Sequence, residues 1–323
     1  MDKIKLTYSQ NWQAYNRAQS SEKELFMKLL GELCSGIKAP EYKFGRPKLL
    51  LSDMIFCSVF KIYSTYSGRR FSSDMKIAKE YGFIQKAPHY NSVFNYLQKP
   101  ELIPLLRILI TKSSLPLRSV ETDFAVDSTG FSTSQFARWF DFKYGKSKDT
   151  RIWLKAHIMC GIKTNIVTSI EVTEGTASDS MQFESLVTQT KTNFNIGEVS
   201  ADKAYSSRKN LSLVAEAGGV PFVPFKSNSR HRPLGSPIWK NMYHFYNMFR
   251  DEFMEHYHKR SNVETTMHMI KSKFGSRLRS KTRIAQINEL LAKILCHNIC
   301  VVIHELHELG LVSNSLIRNG DEI

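Results

Sequence analysis

Apolar positions recur at helical spacing through the first third of the chain and then give way to alternation. Leu25, Phe26, Leu29, Leu30 and Leu33 follow Ser21-x-x-Glu24, a capping-box pattern that marks a helix start. A second helix is expected from about Ser52, with Met54, Ile55, Val59, Phe60 and Tyr63 on its apolar face and Gly68-Arg69-Arg70 at its end. Short helices near 73–81 and 91–98 and one over 101–112 complete a helical leader. Between Thr122 and Phe131 the period becomes two: Asp123, Ala125 and Asp127 face one way, Phe124 and Val126 the other. Residues 152–162 and 166–172 read as strands joined at Lys163-Thr164-Asn165, a hairpin. There follow a helix over 178–190, a strand from Glu198 ending at Asp202, a helix over 207–217 closed by Gly218-Gly219, and a short strand over 220–225. This order predicts a mixed α/β sheet flanked by helices, with at least one parallel crossover. An aperiodic basic loop comes next, and then two amphipathic helices, from Tyr257 to Lys271 and over 283–308.

The pattern divides the chain into a helical N-terminal unit (1–118), an α/β unit (119–310) with a basic loop inserted at 226–245, and a flexible tail (311–323). Short helices joined by tight basic breaks fit a helix-turn-helix-like DNA-binding unit; plain helical bundles share that texture.

Charge sharpens this picture. The net charge of +15 is uneven: residues 1–120 carry 19 Lys+Arg against 9 Asp+Glu, residues 121–225 carry 11 against 12, and residues 226–323 carry 15 against 9. Two basic flanks around a near-neutral centre suit a polyanion, and aromatic residues interleaved with the cations favour nucleic acid. The five cysteines include no C-x-x-C pair, which points to a reducing cytoplasm. Cys296, Cys300 and His304 share helical spacing, but thiols buried on an apolar helix explain them better than a metal. Leu290 to Ile303, the most apolar run, is interrupted by Lys293, His297 and Asn298, and no membrane span is expected.

Candidate chemistry lies on the helix from Tyr257. At about 100° per residue, Tyr257, Arg260, Glu264 and Lys271 fall within roughly 60° of one another. Val263, Met267, Ile270 and Phe274 form an apolar stripe beside them. A carboxylate between two cations and a phenol suits a metal ion and a phosphate. Asp127 and Asp202 each follow small or apolar strand residues and precede small polar ones, as carboxylates at strand ends facing a cleft do. Two-metal phosphoryl transfer needs such clustered acids, and Mg²⁺, which keeps several waters, needs few of them. Asp123 is a rival on the same strand face as Asp127. Lys155 and Arg151 lie in a basic, aromatic segment with Arg138, Lys143, Lys146 and Lys148, fit either to track a DNA backbone or to form a solvated loop. Lys203 adjoins Asp202, where it would tune that carboxylate, contact phosphate or sit on the surface. Asp179 is expected to cap the helix that follows it, ahead of the alternative of an outer-shell acid.

Three blocks carry a resemblance. AVDSTGF holds Asp127; SADKAYSSRKN, followed by GGVPFVPFK, holds Asp202; and Tyr257, Arg260, Glu264 and Lys271 meet the pattern Tyr-x2-Arg-x3-Glu-x6-Lys. The chain resembles the DDE-type transposases of prokaryotic insertion sequences, in the IS-four/IS-five superfamily, over about residues 121–300. The resemblance implies an RNase H-like core in which Asp127, Asp202 and Glu264 coordinate two Mg²⁺ or Mn²⁺ ions. It implies cleavage at the ends of a mobile element, transfer of the freed 3′-hydroxyl into target DNA, and a homodimer on double-stranded DNA in the prokaryotic cytoplasm, at the nucleoid. Arg260 and Lys271 would hold phosphates and Tyr257 would contact the backbone near the cut; base reading would fall to the N-terminal helices. The interval from Asp202 to Glu264 has no room for the long β-rich insertion of larger members, so hairpin chemistry is not carried over. Two other outcomes stay open: a transposase-derived DNA-binding protein without catalysis, and a metal-dependent endonuclease without strand transfer.

Overall fold

The structure, a computed structural model, describes residues 11–38, 49–133, 153–232 and 234–309. The basic segment holding Arg138, Lys143, Lys146, Lys148 and Arg151 lies outside the described residues, as does the tail 311–323.

Five helices precede the sheet: α1 (Trp12–Ser35), α2 (Leu51–Ser64), α3 (Gly68–Glu80), α4 (Tyr90–Leu97) and α5 (Leu102–Ser114). The first two breaks differ from expectation. Asn11 caps α1 by accepting from the Ala14 N–H, and Ser21 sits mid-helix with its hydroxyl bonded to the Arg17 carbonyl. The buried stripe continues upstream through Ala18 and Ala14, so packing extends the helix past the capping-box pattern. Gly68 opens α3 rather than ending α2, because Ser67 caps it and the glycine packs against Phe94. A Cβ on Gly68 would lie 2.7 Å from that ring.

The sheet comprises β1 (Asp123–Ser132), β2 (Trp153–Gly161), β3 (Val167–Glu174), β4 (Glu198–Ala201) and β5 (Val220–Phe222), in the order β3-β2-β1-β4-β5. Strands β1, β2 and β3 form an antiparallel meander, while β4 and β5 run parallel to β1. Helix α6 (Phe183–Lys191) precedes β4, and α7 (Arg208–Glu216) crosses from β4 to β5. This is the RNase H-like topology: an antiparallel meander continued on one side by parallel strands. The alternation in β1 places one core on each face. Ala125 and Phe131 join the N-terminal helices; Phe124 and Val126 join α6, α7 and the residues around Trp239 and Phe253.

Residues 226–245 are not loop throughout. Helix α8 (Pro237–Met248) buries Trp239 and Met242 in the second core, and the Trp239 indole N–H donates to the Arg230 carbonyl at 2.8 Å. Helices α9 (Arg250–His258), α10 (Ser261–Phe274) and α11 (Arg283–Glu308) follow. By length and composition α11 would qualify as a membrane span, but 89% of its apolar stretch is buried within the protein. The polar residues that interrupt it each have an internal partner. Lys293 donates to the carbonyls of Gly275 and Arg277, and His297 pairs with the Asn165 carbonyl. Asn298 exchanges both bonds with the Val167 backbone and also donates to Ser113 of α5. Thus α11 ties the sheet and the N-terminal helices into one core. Cys296 and Cys300 are buried there, and burial pushes the Cys300 thiol up to about 12.

Near the end of α11, burial, then Glu308 and Glu121, push Glu305 from 4.5 up to about 7. The folded chain therefore holds this proton more tightly than the unfolded chain, and stability falls as pH rises from about 4.5 to about 7. Glu305→Gln is expected to stabilise the protein at pH 8 by about 1–2 kcal/mol, discounted for partial exposure. The gain should vanish near pH 4. Urea denaturation at both values measures it; an equal effect at both would assign it to packing.

Candidate active site

Register decides where the acids meet. Strand β4 pairs with β1 only from Asp123 to Val126, with Val126 opposite Ala201. Asp127 and Asp202 are therefore the next residues on two adjacent parallel strands, one position past the end of pairing. Asp127 lies within β1 rather than at its end; it is β4 that stops. Crevices at the carboxyl ends of parallel strands are the usual binding positions of open α/β sheets.

The third acid arrives from a broken helix. The expected single helix from Tyr257 to Lys271 is interrupted at Lys259-Arg260, between α9 and α10. Here the backbone bonds tighten to three-residue spacing: Arg260 N–H to Tyr257, and Val263 N–H to Arg260. The two break residues diverge. Lys259 Nζ reaches Glu198 Oε2 at 2.8 Å and Asp123 Oδ2 at 3.1 Å, pinning the break to the start of β1 and β4. Asp123, the rival carboxylate, is thus a structural anchor. Arg260 reaches the other way, with Nη1 2.5 Å from Asp127 Oδ2 and Nη2 2.5 Å from Glu264 Oε1. One guanidinium spans two of the three acids. Burial of Val263, Met267, Ile270 and Phe274 seats α10 on the sheet as its stripe predicts.

The electrostatics follow from this crowding. Burial raises the Asp127 carboxyl; the Ser128 N–H and Arg260 oppose the shift, and Asp202 and Glu264 add to it. Burial alone would lower Arg260, but Asp127, Tyr257 and Glu264 leave it above its ordinary value. Its guanidinium lies 6.0 Å from the Tyr257 ring centre. Lys271 donates to Thr129 Oγ1 at 2.5 Å and lies over Phe131, and burial lowers its pKa. Asp127, Thr129 and Phe131 share one face of β1, so Arg260 and Lys271 line the same side of the strand.

Lys155 is placed elsewhere. It pairs with Gly130, not with a residue of the Asp127 face, and its ammonium lies 2.5 Å from Asp179 Oδ1. Asp179 makes no cap bond to the helix after it; its carboxylate is taken up by Lys155 and approached by His157 Nδ1 at 3.2 Å. Lys203 is exposed in the turn directly after Asp202. Two neighbours were not given roles by the sequence: His157, fully buried opposite Ser128, and Tyr205, buried near Asp127, Asp179 and Asp202. Tyr205 lies in the SADKAYSSRKN block, which was the available signal; His157 lies in the strand read over 152–162, where alternation gave none.

Among the described residues no three acidic, imidazole or thiol groups are drawn together closely enough to hold a metal ion, since Arg260 occupies Asp127 and Glu264. The donors themselves fit a hard divalent cation: three carboxylates, two of which raise the third by their charge.

The topology defines the class: an RNase H-like sheet, with Asp127 and Asp202 just beyond the paired ends of β1 and β4. Residues 118–299 match the family described as the transposase DDE domain, and the chain belongs to that family. It is also similar to a piggyBac transposase whose cryo-EM structure is a synaptic complex with hairpin DNA. That likeness is 14% identical, spans 91% of this chain and 77% of the other, and has a TM-score of 0.44.

Arg260→Gln leaves the crowded acids without their counter-charge. The variant is expected to lose about 1–3 kcal/mol at pH 7.5. Asp127, already raised, would rise further, so stability returns as pH falls through its folded value. Urea denaturation at pH 7.5 and pH 5 tests this, and a loss independent of pH would show that Arg260 acts by packing.

Proposed function

We propose that this protein is an insertion-sequence transposase of the group with the Tyr-Arg-Glu-Lys signature, and that Asp127, Asp202 and Glu264 are its catalytic acids. The observation that carries the reading is the Arg260 clamp, which brings acids from β1 and α10 to the point where Asp202 leaves β4. The three carboxylates would hold Mg²⁺ or Mn²⁺. When bound, the ions supply activation of the attacking oxygen and stabilisation of the leaving one. Arg260 would hold a DNA phosphate. Lys271, bonded to Thr129 two residues further along β1, would hold a neighbouring phosphate, and Tyr257 would contact the backbone beside it. Lys203 and Arg151 are assigned to phosphate contacts flanking the cut. Lys155 has a smaller part, being committed to Asp179. Residues 1–118 would form the unit that recognises element ends, and a homodimer would pair two ends, within the prokaryotic cytoplasm.

Asp127→Asn, Asp202→Asn and Glu264→Gln are each expected to lower Mn²⁺-dependent nicking of DNA carrying the element ends on the order of 10³-fold or more. DNA binding should persist and should weaken steeply with salt. Nicking at wild-type rate in any variant would remove that residue from the site. A precut end with a free 3′-hydroxyl separates the readings: joining to target DNA supports transposition, cleavage without joining supports an endonuclease, and binding without either supports a protein that no longer cuts.

A further inference from the structure

A cavity of about 520 Å³ lies between the N-terminal helices and the start of α11. It shares no residue with the carboxylate cluster. Its volume falls within the range of small-molecule sites. Lys61, from α2, lines it; this lysine is only 6% exposed, and its ammonium lies 6.0 Å from the centre of the Phe71 ring. A largely buried ammonium beside a cavity favours an anion there. Burial, then Arg279, lower Lys61 to about 8, with Glu289 acting in the opposite direction.

The surroundings favour the same kind of ligand. Arg279 and Lys281 also line the cavity, and the first residues of α3 and α11 open onto it, adding two positive helix ends. Glu289, the acid present, is already occupied by the backbone N–H groups of Arg279 and Ser280 at 2.9 and 2.8 Å. Those bonds, with Lys293 holding Gly275 and Arg277, fix the wall of the cavity. The rings of Tyr66 and Phe94 line it as well, 50% and 39% exposed. Exposed aromatic rings beside cations are the elements of base stacking next to a phosphate.

We propose that this cavity is a nucleotide site, taking a phosphate against Lys61, Arg279 and the two helix starts, and a planar base against Tyr66 and Phe94. The ligand has two possible sources, a free nucleotide or a nucleotide displaced from a DNA strand. The site does not depend on the roles assigned to Asp127, Asp202 and Glu264.

The full chain should be titrated with dAMP, deoxyadenosine and inorganic phosphate by calorimetry. Anisotropy should compare a duplex carrying one unpaired adenine with the same duplex fully paired. Saturable dAMP binding is expected, with deoxyadenosine and phosphate each about tenfold or more weaker. Lys61→Met should weaken dAMP by about tenfold or more, the loss of one charge-assisted contact. Phe94→Ala, at an exposed ring, carries the test if Lys61→Met fails to fold. Asp127→Asn should leave dAMP binding unchanged while abolishing nicking, which keeps the two sites distinguishable. A preference for the unpaired adenine, lost in Lys61→Met, identifies a DNA nucleotide; dAMP binding without that preference identifies a free one. Neither binding nor preference, or deoxyadenosine binding as well as dAMP with Lys61→Met silent, would overturn the proposal.

Discussion

Strand β1 outruns its parallel neighbour β4, and the arrangement of the site depends on this mismatch. While the strands are paired, β1 is an interior strand with Phe124, Ala125 and Val126 fully buried on alternate faces. Once β4 ends at Ala201, that edge of β1 is open and can receive groups from elsewhere. Asp202 turns away at the same level, and the break between α9 and α10 fills the opening with Arg260. A β4 longer by two residues would pair across Asp127 and close the crevice.

The break shows how neighbouring side chains of one sign do different work. Lys259 and Arg260 are both cations on one turn. Lys259 goes to carboxylates at the entry of the paired strands, and Arg260 to carboxylates just beyond their exit. Asp123 and Asp127, four residues apart on β1, are roughly 13 Å apart along an extended strand. Spanning them fixes both the height of the break and the direction of α10, and so places Glu264 and Lys271. His256 supports the same position by stacking on Phe222 with ring centres 4.3 Å apart. The carboxylate contacts and the placement of α10 thus come from one short segment whose flanking helices are held by two separate cores.

The long helix α11 gives the N-terminal helices and the sheet a common interior. Its buried polar residues specify partners: Asn298 bridges β3 and α5, Asn288 donates to the carbonyls of Leu97 and Lys99, and Lys293 holds the turn after α10. An all-apolar helix would have packed with less specificity. The same helix brings Glu289 to the turn that walls the cationic cavity, so that cavity and the carboxylate crevice are supported by one element while using different residues.

The sequence by itself determined the order of elements, the two faces of β1, the apolar stripe from Val263 to Phe274 and the identity of the acids worth weighing. These are local, periodic signals, legible because side-chain direction follows backbone period. Tertiary structure decided everything that depends on register and packing. It showed that β4, not β1, ends at the site, that Asp123 is bound by Lys259, and that Lys155 belongs with Asp179 on the other face. It extended α1 past Ser21 and made α8 a helix within a basic stretch, because burial of Ala14, Ala18, Trp239 and Met242 outweighs local capping and charge. It also placed a largely buried Lys61 on a cavity wall shared with Arg279, more than two hundred residues further along the chain.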